Sequence, residues 1–360
     1  MTDDTKRRTV PQRRATITDV ADHAHVSKKT VSRVINRETG VKPAMVERVE
    51  RAIRELHFSP NPQARSLALG RSFLVGLIYE NPSPTYVVNM QLGILDVLRP
   101  AGMELVVHPC RQEAPTLLDD IRSFIERQRL DGVILPPPLS EDESLVTLLR
   151  QTRCPYIRIA CAPLDEPAVM VVSNDRSGAR QAALRLADLG HRHIALVRGP
   201  VGYLSSHERG QAFVTALRDR GIAIDPACDV AGGYTFESGV IAGHRLLELP
   251  LPPTAVFVLN DDMAIGVMQA ARERGLNLPD DLSIIGFDDL PMAARMWPNL
   301  TSVRLPVREM GAAASGKLLA ILAGETDSGG DHPVEPMLIV RQSDVACGPA
   351  GRGRRTSSRA

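Results

Sequence analysis

The sequence predicts an α/β protein that carries a small all-helical unit at its N terminus. Two observations predict this organisation. Apolar residues recur at helical spacing up to about residue 60, and from Phe73 onward short apolar runs alternate with amphipathic stretches. This alternation is typical of parallel sheets covered by helices. About ten such segments are too many for one comfortable sheet, so we expect two α/β lobes.

The helical unit opens with two short helices joined by a tight turn. Thr16 is placed to cap a helix that runs to about Ala24, and Ser27 can cap a second helix that ends near Ile35. The second helix has a polar and cationic outer face, which is what a helix-turn-helix places in the major groove. The alternative is an ordinary helical hairpin with a solvated basic face. The outward-facing residues are Lys28, Lys29, Ser32 and Arg33.

A third amphipathic helix is predicted after Pro43, because apolar residues then recur at spacings of three and four. Residues 61–70 follow, with Asn61 as a candidate N-cap, Pro62 at the first helical position and Gly70 as a terminator. A helix this short is marginal in water, so we expect its order to depend on what it contacts.

Charge is distributed unevenly along the chain, although the formal net charge is only +1. Residues 1–72 hold 15 Lys and Arg against 8 Asp and Glu, whereas residues 73–360 hold 28 against 34. A basic head on a mildly acidic body suggests a polyanionic partner for the head. The basic arm at residues 1–15 can either follow phosphates or remain solvated, and we expect it to be disordered.

Several classes of protein are disfavoured by what the sequence lacks. No apolar run approaches the roughly 20 residues that span a bilayer, and no signal-peptide pattern opens the chain, so we expect a cytoplasmic protein without a membrane partner. The five cysteines are scattered and form no CxxC pair. They are expected to be reduced thiols. The His23/His25 and His191/His193 pairs have no evident third ligand, so we expect no metal and no cofactor.

An enzyme is also disfavoured. Paired carboxylates at Asp261–Asp262 and Asp288–Asp289 could suggest hydrolysis, but the chain has no GxSxG, P-loop, HExxH or GxGxxG fingerprint. For Asp261, Asp262 and Asp289 we expect helix capping and solvation in loops.

The predicted elements of the body follow from the apolar pattern. Strands are predicted at residues 73–78, 104–108, 132–135, 156–160, 169–172, 193–197, 255–259 and 282–287. Helices are predicted, among others, at residues 86–99, 117–129, 177–189, 206–220, 237–249, 263–274 and 307–323.

Six runs of residues together carry a family resemblance. They are TITDVADHAHVSKKTVSRVIN, NPQARSLALG, GHRHIALVRGP, NDDMAIG, DDLSIIGFDD and LTSVRLPVREMG, and the match around them extends from about residue 16 to residue 343. In this order and spacing they resemble the lactose/galactose-repressor (LacI/GalR) family of transcription factors. The resemblance implies a homodimeric repressor whose body is similar to sugar-binding periplasmic proteins. It also implies two partners, a double-stranded pseudo-palindromic operator DNA and a small-molecule effector, a sugar or sugar derivative, between two lobes.

Composition and the resemblance together predict a domain organisation. It comprises the arm (1–15), a helix-turn-helix domain (16–60), a hinge helix (61–71), an effector-binding domain (72–345) and a Gly/Ser/Arg-rich disordered tail (346–360). Lobe one is expected at about 72–172 and 304–334, and lobe two at about 173–303 and 335–345. The competing interpretation is a carbohydrate-binding or carbohydrate-processing protein with an incidental basic helical N terminus.

Residues that the resemblance assigns to DNA lie on the second helix and the hinge. Lys28, Lys29 and Arg33 stand at base-facing positions. Leu67 stands where the family inserts paired leucines into the minor groove, and an apolar wedge there can open a base step. The remaining positions, expected at phosphates, as caps or in the hinge, are Ser27, Thr30, Ser32, Asn36, Asn61 and Ala64. His25 stands where the family usually has glycine, and His57-Phe58 stand where it usually has Gly-Tyr; both are helix ends, where a left-handed residue is expected.

Effector contacts of the family map onto Arg209, Tyr234, Asn260 and Asp288. Their chemistry suits a polyol, because a guanidinium donates, a carboxylate accepts, an amide does both and an aromatic face covers the apolar side of a ring. Asn260 and Asp288 also follow predicted strands, and open α/β sheets bind ligands at the carboxyl ends of their strands.

Overall fold

A computed structural model describes residues 15–35, 40–58, 70–81, 83–325 and 334–348. The chain forms two compact units that divide between Ser72 and Phe73. The predicted positions Asn36, Asn61, Ala64 and Leu67 lie outside the described residues, as do most of the basic arm and of the C-terminal tail.

The N-terminal unit contains three helices: α1 (Ile17–His23), α2 (Lys28–Ile35) and α3 (Pro43–Glu55). A capping box begins α1, since the Thr16 N–H donates to the Asp19 carboxylate at 2.7 Å and the Asp19 N–H donates to the Thr16 hydroxyl. The helices pack around a small core consisting of Val20, Ala21, Ala24, Val31, Val34, Val49 and Ala52. The amphipathic spacing in the sequence predicted this packing.

Two histidines occupy the left-handed positions that the resemblance indicated. His25 has φ 52° between α1 and α2, and His57 has φ 47° just after α3. Left-handed backbone costs a side-chain-bearing residue about 1–2 kcal/mol relative to glycine. In the turn between α1 and α2, the Val26 N–H donates to the Ala21 carbonyl at 3.0 Å, and this bond caps the C-terminal end of α1.

The body contains two sheets. The first is entirely parallel, in the order β2-β1-β3-β4-β5, and its strands are β1 (Leu74–Tyr79), β2 (Glu104–Pro109), β3 (Gly132–Leu135), β4 (Tyr156–Ala160) and β5 (Met170–Val172). The helices associated with it are α4 (Pro84–Leu98), α5 (Leu117–Gln128), α6 (Glu143–Gln151) and, from later in the chain, α11 (Val307–Ala323).

The second sheet has the order β11-β10-β9-β8-β6-β7, in which only β11 is antiparallel to its neighbour. Its strands are β6 (Ile194–Arg198), β7 (Asp229–Ala231), β8 (Ala255–Val258), β9 (Ser283–Asp288), β10 (Thr301–Arg304) and β11 (Met337–Ile339). Its helices are α7 (Asp175–Asp188), α8 (Leu204–Arg218), α9 (Phe236–Leu247) and α10 (Asp261–Glu273).

The two lobes are joined by chain segments that cross between the sheets. The chain leaves the first sheet after β5, returns from β10 to α11, and re-enters the second sheet at β11. Two of these crossings run side by side, because the Val334 N–H donates to the Val172 carbonyl and the Asn174 N–H donates to the Val334 carbonyl.

The described chain ends along the second sheet. Ser343 and Asp344 are buried there. The Ile284 N–H donates to the Ser343 carbonyl at 2.7 Å, and the Asp344 carboxylate accepts from Arg185 at 2.7 Å and from the Thr301 hydroxyl. This segment therefore completes the lobe that α7 begins.

Every predicted strand is present with its ends shifted by at most one residue, and the ends of the predicted helices of the body are shifted by at most two. The helix predicted at residues 61–70 lies outside the described residues, apart from Gly70. The strands that were not predicted are β7, β10 and β11. β7 (DVA) and β10 (TSVR) contain no run of three apolar residues, and β11 (MLI) is a three-residue strand at the edge of its sheet. No helix among the described residues is long and apolar enough to cross a membrane.

Candidate functional site

The α2 surface is strongly cationic. Its eight residues, KKTVSRVI, include three basic side chains and no acidic one. Lys28 and Lys29 are exposed, and Ser27 just before the helix accepts a hydrogen bond from the Thr30 N–H at 3.1 Å. Ser32 and Arg33 are partly buried. A short helix capped in this way, with cations outside and Val31 and Val34 inside, presents positive charge without disturbing its own core.

A cavity lies between the two lobes of the body. It encloses about 610 Å³ of space, its open mouth included. The residues that line it are Asn81, Ser83, Tyr86, Pro137, Cys161, Ser173, Asp175, Tyr203, Ser205, Arg209, Tyr234, Asn260, Asp288, Leu305 and Met310. All four residues assigned to the effector from the sequence are thus brought together, and both lobes contribute to the wall.

Arg209, on α8, is the central polar group of the cavity. It is 6% exposed, its Nε donates to the Asp175 carboxylate at 2.7 Å, and its Nη1 donates to the Leu259 carbonyl at 2.8 Å. The guanidinium lies 3.7 Å from the centroid of the Phe287 ring, a cation–π distance. Burial disfavours its charge, but the carboxylates of Asp175 and Asp288 outweigh burial and raise the pKa of Arg209.

Asp288 ends β9, and Asp288 Oδ1 lies 3.5 Å from Arg209 Nη1. Burial raises the pKa of Asp288 to about 7, with Arg209 opposing the rise and Asp175 adding to it. Its φ of 104° lies in the left-handed half of the backbone map. A side-chain-bearing residue there costs about 1–3 kcal/mol, and such strain concentrates at ligand sites.

Tyr234 is the second cavity residue with a left-handed backbone, at φ 61°. Its ring meets that of Tyr203 edge to face with centroids 5.6 Å apart. Gly199 permits this position, because a Cβ atom on Gly199 would lie 2.3 Å from the Tyr234 ring. Burial raises the pKa of Tyr234 to about 12, so the hydroxyl stays protonated and can donate.

Asn260 lines the cavity and also caps α10. Its Oδ1 accepts from the Met263 N–H at 3.0 Å, and its Nδ2 donates to the Tyr234 carbonyl at 3.1 Å. An amide has a further lone pair and a further N–H, so Asn260 can hold the Tyr234 loop and still contact a ligand.

Two aspartates have surroundings that differ from those predicted from the sequence. Asp261 was expected to cap a helix or lie in solvent, but it is fully buried and accepts from the Ser302 hydroxyl at 2.6 Å and the Leu290 N–H at 2.7 Å. Asp289 was expected in solvent, but it pairs with Arg304 at 2.9 Å and with Arg341 at 2.5 Å. The expectation is wrong for both, because each carboxylate ties β9 and the loop after it to neighbouring segments.

Other cavity residues were missed in the sequence. Asp175 directly follows β5 and its crossing, and Asn81 and Ser83 follow β1, so the carboxyl-end rule applied to every strand would have indicated them. Tyr86 gave no such signal, because it lies within the first turn of α4.

Glu141 makes a contact between the lobes. Its Oε2 accepts at 3.1 Å from the N–H of Leu204, the first residue of α8. Its Oε1 is buried and has no hydrogen-bond partner among the described residues. Burial raises the pKa of Glu141, the Leu204 N–H lowers it, and nearby Asp175 raises it, with a net upward shift.

Known proteins match both parts of the chain. Residues 16–61 match the family model of bacterial regulatory proteins of the lacI family, and residues 183–343 match that of the periplasmic binding protein-like domain. The probable HTH-type transcriptional repressor ExuR of Bacillus subtilis (strain 168) is 33% identical over 314 residues, which cover 86% of this chain and 92% of that protein.

Solved structures agree over nearly the whole length. A complex of the transcriptional regulator CelR with cellobiose has 32% identity and a TM-score of 0.70, and covers 92% of this chain and 100% of its own. The lac repressor dimer bound to operator and the anti-inducer ONPF has 27% identity and a TM-score of 0.75, with 93% and 100% coverage.

Fold, cavity and matches together define a DNA-binding transcription regulator with a ligand-binding body. The chain belongs to the LacI family of bacterial regulatory proteins. It is a regulator rather than an enzyme, and the competing interpretation of a carbohydrate-processing protein with an incidental basic N terminus is not supported.

Proposed function

We propose that this protein is a cytoplasmic homodimeric repressor whose affinity for a pseudo-palindromic operator changes when a sugar or sugar derivative binds between its lobes. The observation that carries the proposal is the cavity, where Arg209, Tyr234, Asn260 and Asp288 converge with residues of the other lobe. A concave, partly aromatic cavity with a few directed polar groups is the usual form of a small-molecule site.

The DNA-binding role is supported by the exposed cationic face of α2. In this proposal Lys28, Lys29 and Arg33 contact base edges, and the hydroxyls of Ser27, Thr30 and Ser32, with Asn36, contact phosphates or cap the helix. Arg and Lys are suited to the acceptors of guanine in the major groove, and hydroxyls to phosphate oxygens.

The hinge residues Asn61, Ala64 and Leu67 are proposed to connect the head to the body's response. A short helix there gains order from its two-fold mate and from a bent minor groove, so its stability depends on the distance between the two hinges. Ligand binding that changes the lobe arrangement changes this distance. By linkage, the ligand alters DNA affinity only as far as it binds the two arrangements differently, typically about 1–3 kcal/mol.

The effector class is supported by the chemistry of the cavity. Asp288 accepts from hydroxyls, Asn260 accepts and donates, and the rings of Tyr234 and Tyr203 offer faces to the C–H side of a sugar ring. The structurally similar CelR is solved with cellobiose, and the ribose operon repressor of Escherichia coli (strain K12) is a further relative, 31% identical over 329 residues.

The proposal is tested by separating the two activities. An operator is selected from random duplexes with the full chain, and its binding is followed by fluorescence anisotropy with and without sugars found by thermal shift. Arg209→Lys keeps a cation beside Asp175 but loses the planar fork, so the response to sugar should disappear while operator binding remains. If operator binding by Arg209→Lys still responded fully to the sugar, the cavity around Arg209 would not be the effector site.

Leu67→Gly should have the opposite effect. Specific operator affinity should fall strongly, because the wedge and the hinge helix are both weakened, whereas sugar affinity of the DNA-free protein should stay nearly unchanged. Sugar affinity is measured by calorimetry on the same preparation. A parallel loss of both affinities would indicate misfolding rather than a hinge role.

Arg33→Ala tests base contact on α2. We expect a loss of about 1–3 kcal/mol on the selected operator and a relaxed preference at one base position, measured by anisotropy on single-base variants. The control is Arg51→Ala, whose exposed side chain lies on α3 beside Glu47. Equal losses on operator and random DNA would make Arg33 a phosphate contact instead.

A further inference from the structure

The charges around the cavity restrict the effector further. Resting on the proposed function, we infer that the effector is an electrically neutral polyhydroxylated molecule and that the cavity rejects sugar acids. The cavity wall contains one cation and two carboxylates among its described residues, namely Arg209, Asp175 and Asp288. A third carboxylate, Glu141, lies close enough to Asp175 for the two charges to interact.

The single cation is already neutralised from within. Asp175, which is 1% exposed, holds Arg209 Nε at 2.7 Å, and Asp288 lies on the other side of the same guanidinium at 3.5 Å. A ligand carboxylate would have to compete with both for one positive charge. Recognition of a sugar acid normally relies on an arginine or lysine whose charge is available to the ligand.

A second buried arginine, close enough to Glu141 for the two charges to interact, is also occupied. Arg158 on β4 is fully buried, and its Nε donates to the Ser140 carbonyl at 2.7 Å. Its remaining groups reach the Leu164 carbonyl and the carboxylates of Glu143 and Asp165. This arginine holds β4 against the start of α6 and the loop between β4 and β5, and its charge is balanced there.

A neutral sugar would meet suitable partners instead. When Asp288 is ionised, its carboxylate can accept hydrogen bonds from two adjacent hydroxyls of the ligand. Such a ligand brings no charge of its own into the cavity. The lining also holds three tyrosine rings, from Tyr86 in one lobe and Tyr203 and Tyr234 in the other. Burial raises the pKa of Tyr86 and Tyr203 as well as that of Tyr234, so all three hydroxyls are protonated at neutral pH.

The sign of the pH dependence distinguishes neutral from acidic ligands. Asp288 is faced by Arg209 from α8, Asp175 from α7, Asp261 and Asp262 from α10, and the Tyr86 and Tyr234 hydroxyls. Because the pKa of Asp288 is about 7, this carboxyl gains its proton as the pH falls through 7. A neutral sugar that needs the carboxylate should then bind more weakly, whereas an acid would bind better because a repelling charge is lost.

The experiment compares matched ligands on the full-length protein by thermal shift and calorimetry. The pairs are D-glucose with D-glucuronate, D-galactose with D-galacturonate, and cellobiose with cellobionate, with D-glucosamine as the cationic member. We expect at least one neutral sugar to bind, its acid to bind at least tenfold more weakly at pH 8, and the difference to shrink at pH 6. Asp288→Asn should reduce the difference in affinity between the neutral sugar and its acid at pH 8. The control is Asp96→Asn, which should leave this difference unchanged, because Asp96 is an exposed residue of α4 that pairs with Arg308 of α11.

The inference is overturned if an acid binds as tightly as its neutral partner, if glucosamine binds more tightly than glucose, or if no neutral sugar binds. Operator binding measured alongside separates this inference from the proposed function. A sugar acid that binds tightly and alters operator affinity removes the inference and leaves the function intact. A neutral sugar that binds without altering operator affinity does the reverse.

Discussion

At the scale of single residues, the wall of the cavity contains a buried ion pair between Arg209 and Asp175. Both side chains are nearly inaccessible, and Asp175 also accepts from the Ser173 hydroxyl at 2.6 Å. Charges withdrawn from water are tolerated only while they remain paired. The two helices α7 and α8 carry a second ion pair one residue away in each, Arg176 with Glu208, and there the arginine is 52% exposed.

The two pairs give a matched comparison. Arg209→Ala leaves Asp175 buried without its cation and should lower the free energy of unfolding by about 3–5 kcal/mol. Arg176→Ala should cost at most about 1 kcal/mol, because solvent screens that pair. Urea denaturation of each full-length variant measures both values. Similar losses in the two variants would mean that burial does not determine how much Arg209 contributes to stability.

Only some of the residues that line the cavity could be predicted from the sequence. Arg209, Tyr234, Asn260 and Asp288 were assigned from the family pattern, and the structure gathers them around one cavity. The burial of Asp261 was not predictable, because it depends on Ser302 in a strand 41 residues away. Adjacent carboxylates look alike in a sequence, and only tertiary packing decides which is solvated.

At the scale of elements, the α1–α2 turn holds a side chain where glycine would be less strained. The boundaries of α1 and α2 followed from caps and apolar spacing, and the start of α3 followed from Pro43, since these signals are local. The sheet order was not predictable, because it places β6 between β8 and β7 through contacts that no short segment encodes.

His25→Gly should stabilise the N-terminal unit. Relief of the left-handed backbone outweighs the extra freedom of the unfolded chain, for a net gain of about 0.5–1 kcal/mol. His23→Gly should instead destabilise by about 1 kcal/mol, since His23 is helical and contacts Glu55 at 2.6 Å. Hydrogen exchange of the α1–α3 amides in the full chain reports both, and a loss of protection in His25→Gly would contradict the argument.

At the scale of the whole molecule, symmetry is the expected organising feature. Two half-sites related by a two-fold axis need two heads related in the same way, so we expect a dimer. Residues 348–360 consist mostly of glycine, serine and arginine, so we expect them to make no contribution to assembly. Sedimentation velocity should give a dimer with and without residues 348–360. A tetramer that survives this deletion would contradict the expectation.

The position of Ser343 and Asp344 in the second lobe has a consequence for synthesis on the ribosome. The head's core, from Val20 to Ala52, is complete before any strand of the body has been translated. Lobe two begins with α7 but lacks its last buried partners until Asp344 leaves the exit tunnel. Domains generally fold in the order of their synthesis, so we expect nascent chains to carry a folded head for most of translation before they have a body that can sense a ligand. Chains truncated after Val340 and released from the ribosome should therefore show a protease-resistant head and a digestible second lobe. Released chains truncated after Gly348 should have a second lobe that resists digestion as well. Equal resistance of the second lobe in both chains would show that it folds without the contacts of Ser343 and Asp344.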